Sequence, residues 1–386
     1  MKYGLLLMFA LLPMAGAAQS HEQIVNEILT NNPTLAADKA TQRAEVIALV
    51  AENRLGATEI GFGYKWPDRK GEAFKLDLEI TQAFDWPGAY GARRRAAKRA
   101  EAATDARIRA TERDLELQTR IRLLELVDAN QRCAMLGRIV ANLDSLHEAM
   151  HGMLDAGAVT ELDHRKVTLE EVAMKQQLAE AESARAQTLT AIAALNGGTL
   201  PAGVAELSEY PAQELLPLEE YLRGAAPEVE AMRAEAETKV LDAKAERMAL
   251  YPGFSIGYAF AREEFTNFHG FTFGLRLPEY SAKPKADAAR WEARALELQA
   301  EQAQQQRRAD ITADHSAAQI KRKLLTDYGC AFGSDYPRLL QRSLQGGQIT
   351  YINYLSELNF YLAARLDYLS QTLAYHTLLA KLKVKG

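Results

Sequence analysis

Four short stretches of the chain alternate strictly between apolar and small or polar residues. Ile60, Phe62, Tyr64 and Trp66 form one such face, and Phe74, Leu76, Leu78 and Ile80 a second, set against Lys75, Asp77, Glu79 and Thr81. Phe254, Ile256, Tyr258 and Phe260 alternate with Ser255, Gly257 and Ala259; Phe271, Phe273, Leu275 and Leu277 alternate with Thr272, Gly274 and Arg276. A period of two predicts strands, at about 57–66, 73–84, 253–261 and 270–278. Asp68 and Gly71 mark the first turn and Asn267 and Gly270 the second. Each run is about ten residues, the length a tilted strand needs to cross a bilayer. Four such strands cannot close a barrel alone, so their edges must be sealed by other copies.

The remaining pattern is helical. Proline is absent from Gly88 to Met153, and Ile139, Leu143, Leu146, Met150 and Met153 step by four and three. The same stepping recurs through Leu355, Leu358, Leu362, Leu366, Leu369 and Leu373. Long helices over 88–153 and 282–344 are expected, with return helices over 160–195 and 350–384, paired as coiled coils. Breaks fall at Gly157 and at Gly346–Gly347, with Thr160 and Thr350 placed to cap the helix that follows.

The chain says this twice. A shift of 194 places Pro33 on Pro227, Val46 on Val240, Ala51 on Ala245, Glu52 on Glu246, Gly63 on Gly257 and Tyr64 on Tyr258. A signal peptide is expected over 1–18, from Lys2, an apolar run and small residues before Gln19. Two repeats, 19–200 and 201–386, follow it. The fold class is therefore mainly α with four strands: a duplicated unit of β-hairpin plus long helical hairpin.

Composition and chemistry narrow the picture. The net charge of −5 over 386 residues gives no reason to expect a nucleic-acid partner. No nucleophile, phosphate-loop or metalloprotease motif is visible, so neither an enzyme nor a cofactor is expected. Cys133 and Cys330, the two cysteines, lie in helical stretches and read as small apolar residues rather than a disulfide. His147 and His151 have the i, i+4 spacing of metal ligands but no evident third ligand, so solvated side chains are the expectation. Tyr354, Tyr361, Tyr368 and Tyr375 recur every seven residues, as along a coiled-coil flank. Arg93, Arg94, Arg95, Lys98 and Arg99 cluster where a strand gives way to a helix, suited to lipid headgroups.

Asn32-Pro33-Thr34-Leu35, Ala226-Pro227-Glu228-Val229, "FDWPGAYGARRRAA", "LYPGFSIGYAF" and the tips "AGAVTELD" and "GGQITYIN" resemble the TolC family of outer-membrane efflux proteins, over essentially the whole mature chain. The resemblance implies a homotrimer in the Gram-negative outer membrane, with a twelve-stranded β-barrel continuous with a periplasmic α-barrel. It implies a passive duct that docks, through a periplasmic adaptor, on an inner-membrane pump of the RND or ABC type. Docking would fall to Gly157, Val159, Thr160 and Leu162 and to Gly347, Ile349, Thr350 and Ile352. Relatives carry acidic residues just after the second tip. Here Tyr351, Ile352, Asn353 and Tyr354 stand there, with Glu357 the first acid, so Tyr351, Tyr354 and Glu357 are the candidate constriction. Protein export through the same kind of duct, and a soluble periplasmic coiled-coil scaffold, are the alternatives.

Overall fold

A computed structural model describes residues 21–66, 68, 74–277, 281–331 and 336–386. The expected signal peptide, and Gly71 of the first turn, lie outside the described residues.

The elements repeat in order. Helices α1 (His21–Asn31) and α2 (Pro33–Glu52) lead to strands β1 (Glu59–Lys65) and β2 (Lys75–Phe84), then to α3 (Pro87–Asp155) and α4 (Glu161–Leu195). The second copy is α5 (Leu218–Leu222), α6 (Pro227–Met248), β3 (Gly253–Glu263), β4 (Thr266–Arg276), α7 (Ala282–Ala331), α8 (Tyr336–Gln345) and α9 (Tyr351–Lys385). The expected single helix over 282–344 is thus two described helices, with 332–335 between them outside the described residues.

Proline at the first helical position explains the starts of α2, α3 and α6, because its missing N–H has no partner to lose there. Asn32 adds a cap that Ala226 cannot. Its Oδ1 accepts from Leu35 N at 2.8 Å, while its Nδ2 donates to Leu195 O at 2.8 Å, tying the start of α2 to the end of α4.

At 69 residues α3 is about 100 Å long. It has two packing regimes. Its first half buries alanines, among them Ala89, Ala92, Ala96, Ala103 and Ala106, and packs on α6, which buries Ala231, Ala236 and Ala243. Small side chains at steps of three and four let the helices approach closely. Its second half buries Leu136, Ile139, Val140, Leu143 and Met150 in one cluster with Val167 and Met174 of α4, Leu340 of α8 and Leu355, Leu358 and Leu362 of α9. This is the leucine seam of the sequence. A separate cluster of Ile24, Val25, Ile28, Leu123, Leu126, Ile192 and Val204 anchors α1 midway along α3.

The strands form one antiparallel sheet in the order β1-β2-β3-β4. The two copies join through β2 and β3, which pair from Lys75↔Glu263 to Phe84↔Phe254. The second turn differs from the sequence expectation. Glu263 pairs with Thr266, so Glu264 and Phe265 make a two-residue turn, and Asn267 and Gly270 lie within β4. Hence β4 begins at Thr266 rather than near 270. The turn was hidden because its left-handed position, φ +50°, is held by glutamate rather than glycine or asparagine.

Candidate functional site

Register puts the alternating apolar residues of all four strands on one face. Ile60 opposes Ile80, Ile80 opposes Tyr258, and Tyr258 opposes Phe271. In the single chain that face meets no other layer: Phe62 is 69%, Phe271 75% and Phe273 78% exposed. A strand of eleven residues tilted by about 45° rises about 25 Å, the height of a lipid-facing band. Aromatic rings gather at both margins of the band. Tyr64 lies against Trp66 and Phe74 at the far end; Phe84 stacks on Phe254, and Trp86 on Tyr251, at the end nearest the helices. Such rings suit the boundary between hydrocarbon and water.

The opposite face is polar or small. Lys65 pairs with Asp77 at 2.7 Å, and Thr272 donates to Glu79 at 3.1 Å. Gly257 leaves room there: a Cβ would collide with the hydroxyls of Thr272 and Thr81. One greasy and one wet surface on an open sheet is what a barrel wall requires. Among the described residues no helix is long and apolar enough to cross a membrane.

Where sheet meets helices, Asp85 accepts from Arg93 at 2.8 Å and from Arg276 at 2.7 Å, clasping the start of α3 to the end of β4. Arg99 pairs with Glu237 of α6. Arg94, Arg95 and Lys98 are exposed and form no ion pair with a described residue. The basic cluster therefore divides into two structural arginines and three outward cations.

At the other end of the helices the two tips share one construction. Gly157 (φ +68°) and Gly347 (φ +66°) take the left-handed position. Ala158 N then donates to Met153 O and Gln348 N to Ser343 O, both at 2.8 Å, satisfying carbonyls that each ending helix leaves free. Thr160 and Thr350 cap the next helix by accepting from Asp163 N and Asn353 N. Val159 and Ile349 tuck against the core, while Leu162 and Ile352 stay exposed. The tips lie side by side, since the Tyr351 hydroxyl reaches Met153 Sδ at 3.1 Å.

The three constriction candidates separate. Tyr354 is buried among Leu355, Leu358 and Leu362, so it packs within its own chain. Tyr351 is half-buried, and Glu357 accepts from the Tyr336 hydroxyl at 2.8 Å. The rest of the tyrosine ladder packs as a flank: Tyr361 stacks on Tyr336, and Tyr368 meets Tyr328 edge-on. Tyr361 and Tyr368, with Tyr210, Arg138, Arg338 and Arg365, line a cleft of about 610 Å³ between α3, α8 and α9, which no sequence pattern signalled. Cys133 is a free thiol, and burial pushes it above the usual range; the side chain of Cys330 lies outside the described residues.

No family model and no characterised protein matches the sequence. Solved structures do match by shape. The Neisseria gonorrhoeae MtrE outer-membrane channel in its open state is 17% identical, with a TM-score of 0.73 over 95% of this chain and 88% of that one. The Vibrio cholerae outer-membrane protein VceC is 15% identical, with a TM-score of 0.74 over 95% and 96%. The Campylobacter jejuni CmeC outer-membrane channel is 14% identical, with a TM-score of 0.74 over 95% and 85%. At these identities the likeness is one of fold.

Proposed function

We propose that this chain, which has the fold of outer-membrane channels of the TolC type, is one third of a passive duct through the outer membrane and periplasm. The observation that carries the reading is the four-stranded sheet with an uncovered apolar face, a polar opposite face and two open edges. Hydrocarbon covers the apolar face, water fills the polar side, and the edges are sealed by two further copies, giving twelve strands. The helices continue the wall for about 100 Å, a span suited to the periplasm.

In this reading the two tips receive a periplasmic adaptor through Leu162 and Ile352, held in place by the glycine and threonine caps behind them. An inner-membrane pump of the RND or ABC type loads the duct and supplies the energy. Tyr351 and Glu357 stand nearest the entrance and narrow it before docking. Arg94, Arg95 and Lys98 meet lipid phosphates at the inner margin of the membrane band, while Arg93 and Arg99 brace the junction.

Mass measurement of the detergent-extracted protein tests the reading. Three chains per particle are expected, in the outer-membrane fraction. A single chain that stays in solution without detergent would sink it and leave the periplasmic scaffold in its place.

A further inference from the structure

Three imidazoles that the sequence leaves scattered meet beside the first tip. His147 and His151 share one face of α3, and His164 approaches from the first turn of α4. Its ring centre lies 5.1 Å from that of His147 and 5.8 Å from that of His151. We propose that these three side chains form a site for one divalent transition-metal ion of the zinc or copper class, stapling α3 to α4 behind the tip.

The spacing fits. With metal–nitrogen bonds of about 2.0–2.1 Å and tetrahedral angles, the centres of two ligating imidazoles stand roughly 5 Å apart. The ligand type fits as well, since neutral imidazole suits zinc, copper and nickel. Nε2 of His164 is buried without a hydrogen-bond partner, while Nδ1 of His147 faces a carboxylate, which leaves its Nε2 as the nitrogen to ligate. Leaving such a group unsatisfied is destabilising, and a metal ion would relieve it. Oε2 of Glu171 lies 2.6 Å from Nδ1 of His147, off the axis of a proper hydrogen bond, where it can orient the ring or join the ligand set. Lys175 bridges Glu171 at 2.5 Å and Asp144 at 3.0 Å, which fixes the carboxylate from behind.

Among the described residues no three donors already stand around one point ready to hold an ion. The site therefore requires the exposed His151 ring to turn toward the other two. Occupancy would make the end of α3 and the start of α4 one rigid piece. The consequence for tip opening rests on the duct reading; the binding itself does not.

The test uses the full-length protein in detergent, stripped with a chelator and titrated with zinc(II), then copper(II), against a chromophoric competitor. One ion per chain is expected. His151→Ala and His164→Ala should each weaken binding at least about tenfold, and Glu171→Gln by about 10–100-fold, the range seen for residues that orient ligands. His269→Gln, on the sheet, should leave it unchanged. His151 is exposed, so its variant tests the site without disturbing packing, and circular dichroism checks that helix content is kept. Failure to bind a stoichiometric ion, or binding that survives both alanine variants, overturns the site. Particle mass is read on the same samples. Three chains without zinc sinks the site alone, and a single chain with zinc sinks the duct alone.

Discussion

Asn32 does two jobs that Ala226, its counterpart in the second copy, leaves undone. Its side chain caps α2 and also reaches the last carbonyl of α4, and it is only 5% exposed. Replacing it by alanine removes a cap and leaves buried backbone groups without partners. Asn32→Ala should therefore cost about 1–3 kcal/mol, read as a lower unfolding midpoint, with hydrogen exchange accelerated first at Leu35. His376 offers a pH test. It stacks on Tyr210 at 4.4 Å, and burial, aided by the charge of His21, lowers its pKa from 6.5 to about 4. Between those two values the unfolded chain holds a proton that the folded chain rejects. Stability should thus be level above pH 6.5 and fall as the pH drops toward 4. His376→Gln should flatten that slope in chemical denaturation. The caps at Thr160 and Thr350 could be read from the sequence because each sits three residues after a glycine break. The Asn32–Leu195 link could not, as it joins positions 163 residues apart.

Among the elements, the strands were legible because a period of two cannot be mistaken when one face is aromatic. The sharpest consequence is face-specific. Phe271→Lys puts a charge on the apolar side midway between the two aromatic margins and should cost about 2–4 kcal/mol, depleting protein from the outer-membrane fraction. Thr272→Lys, one residue away on the wet side and within reach of Glu79, should leave that fraction unchanged. What the pattern hid has a physical cause in each case. The Glu264–Phe265 turn carries none of the usual turn residues. The close packing of α3 on α6 depends on alanine, which stands out in no hydropathy pattern. Tyr354 was a candidate for the entrance because it stands just after the second tip, where relatives of the resembled family carry acids. The same residue also sits four before Leu358 and eight before Leu362, on the buried seam.

For the molecule as a whole, the duplication and the need to seal the sheet edges were legible, but the edge-to-edge pairing that the proposed duct requires was not, because one sequence contains both edges of its sheet and no neighbour. Within one chain β1 and β4 are separated by two strands, about 14 Å at the usual strand spacing. That is beyond the reach of a disulfide, which requires Cα atoms within about 7 Å. Ile60→Cys combined with Phe273→Cys, with Cys133 and Cys330 replaced by serine, should therefore join different chains. A short bifunctional thiol reagent should give dimer and trimer bands on a denaturing gel, and each single-cysteine variant should stop at dimers. Internally cross-linked monomer alone would contradict closure by copies.

The two sheet edges are unequal: β1 has seven residues and β4 eleven. Joined margin to margin, seven positions of one can engage only seven of the other, so each joint leaves about four residues of β4 with backbone groups facing no strand. Three such notches would punctuate the cylinder at regular intervals, and under mechanical or detergent stress the wall should part along them before any strand tears within a chain.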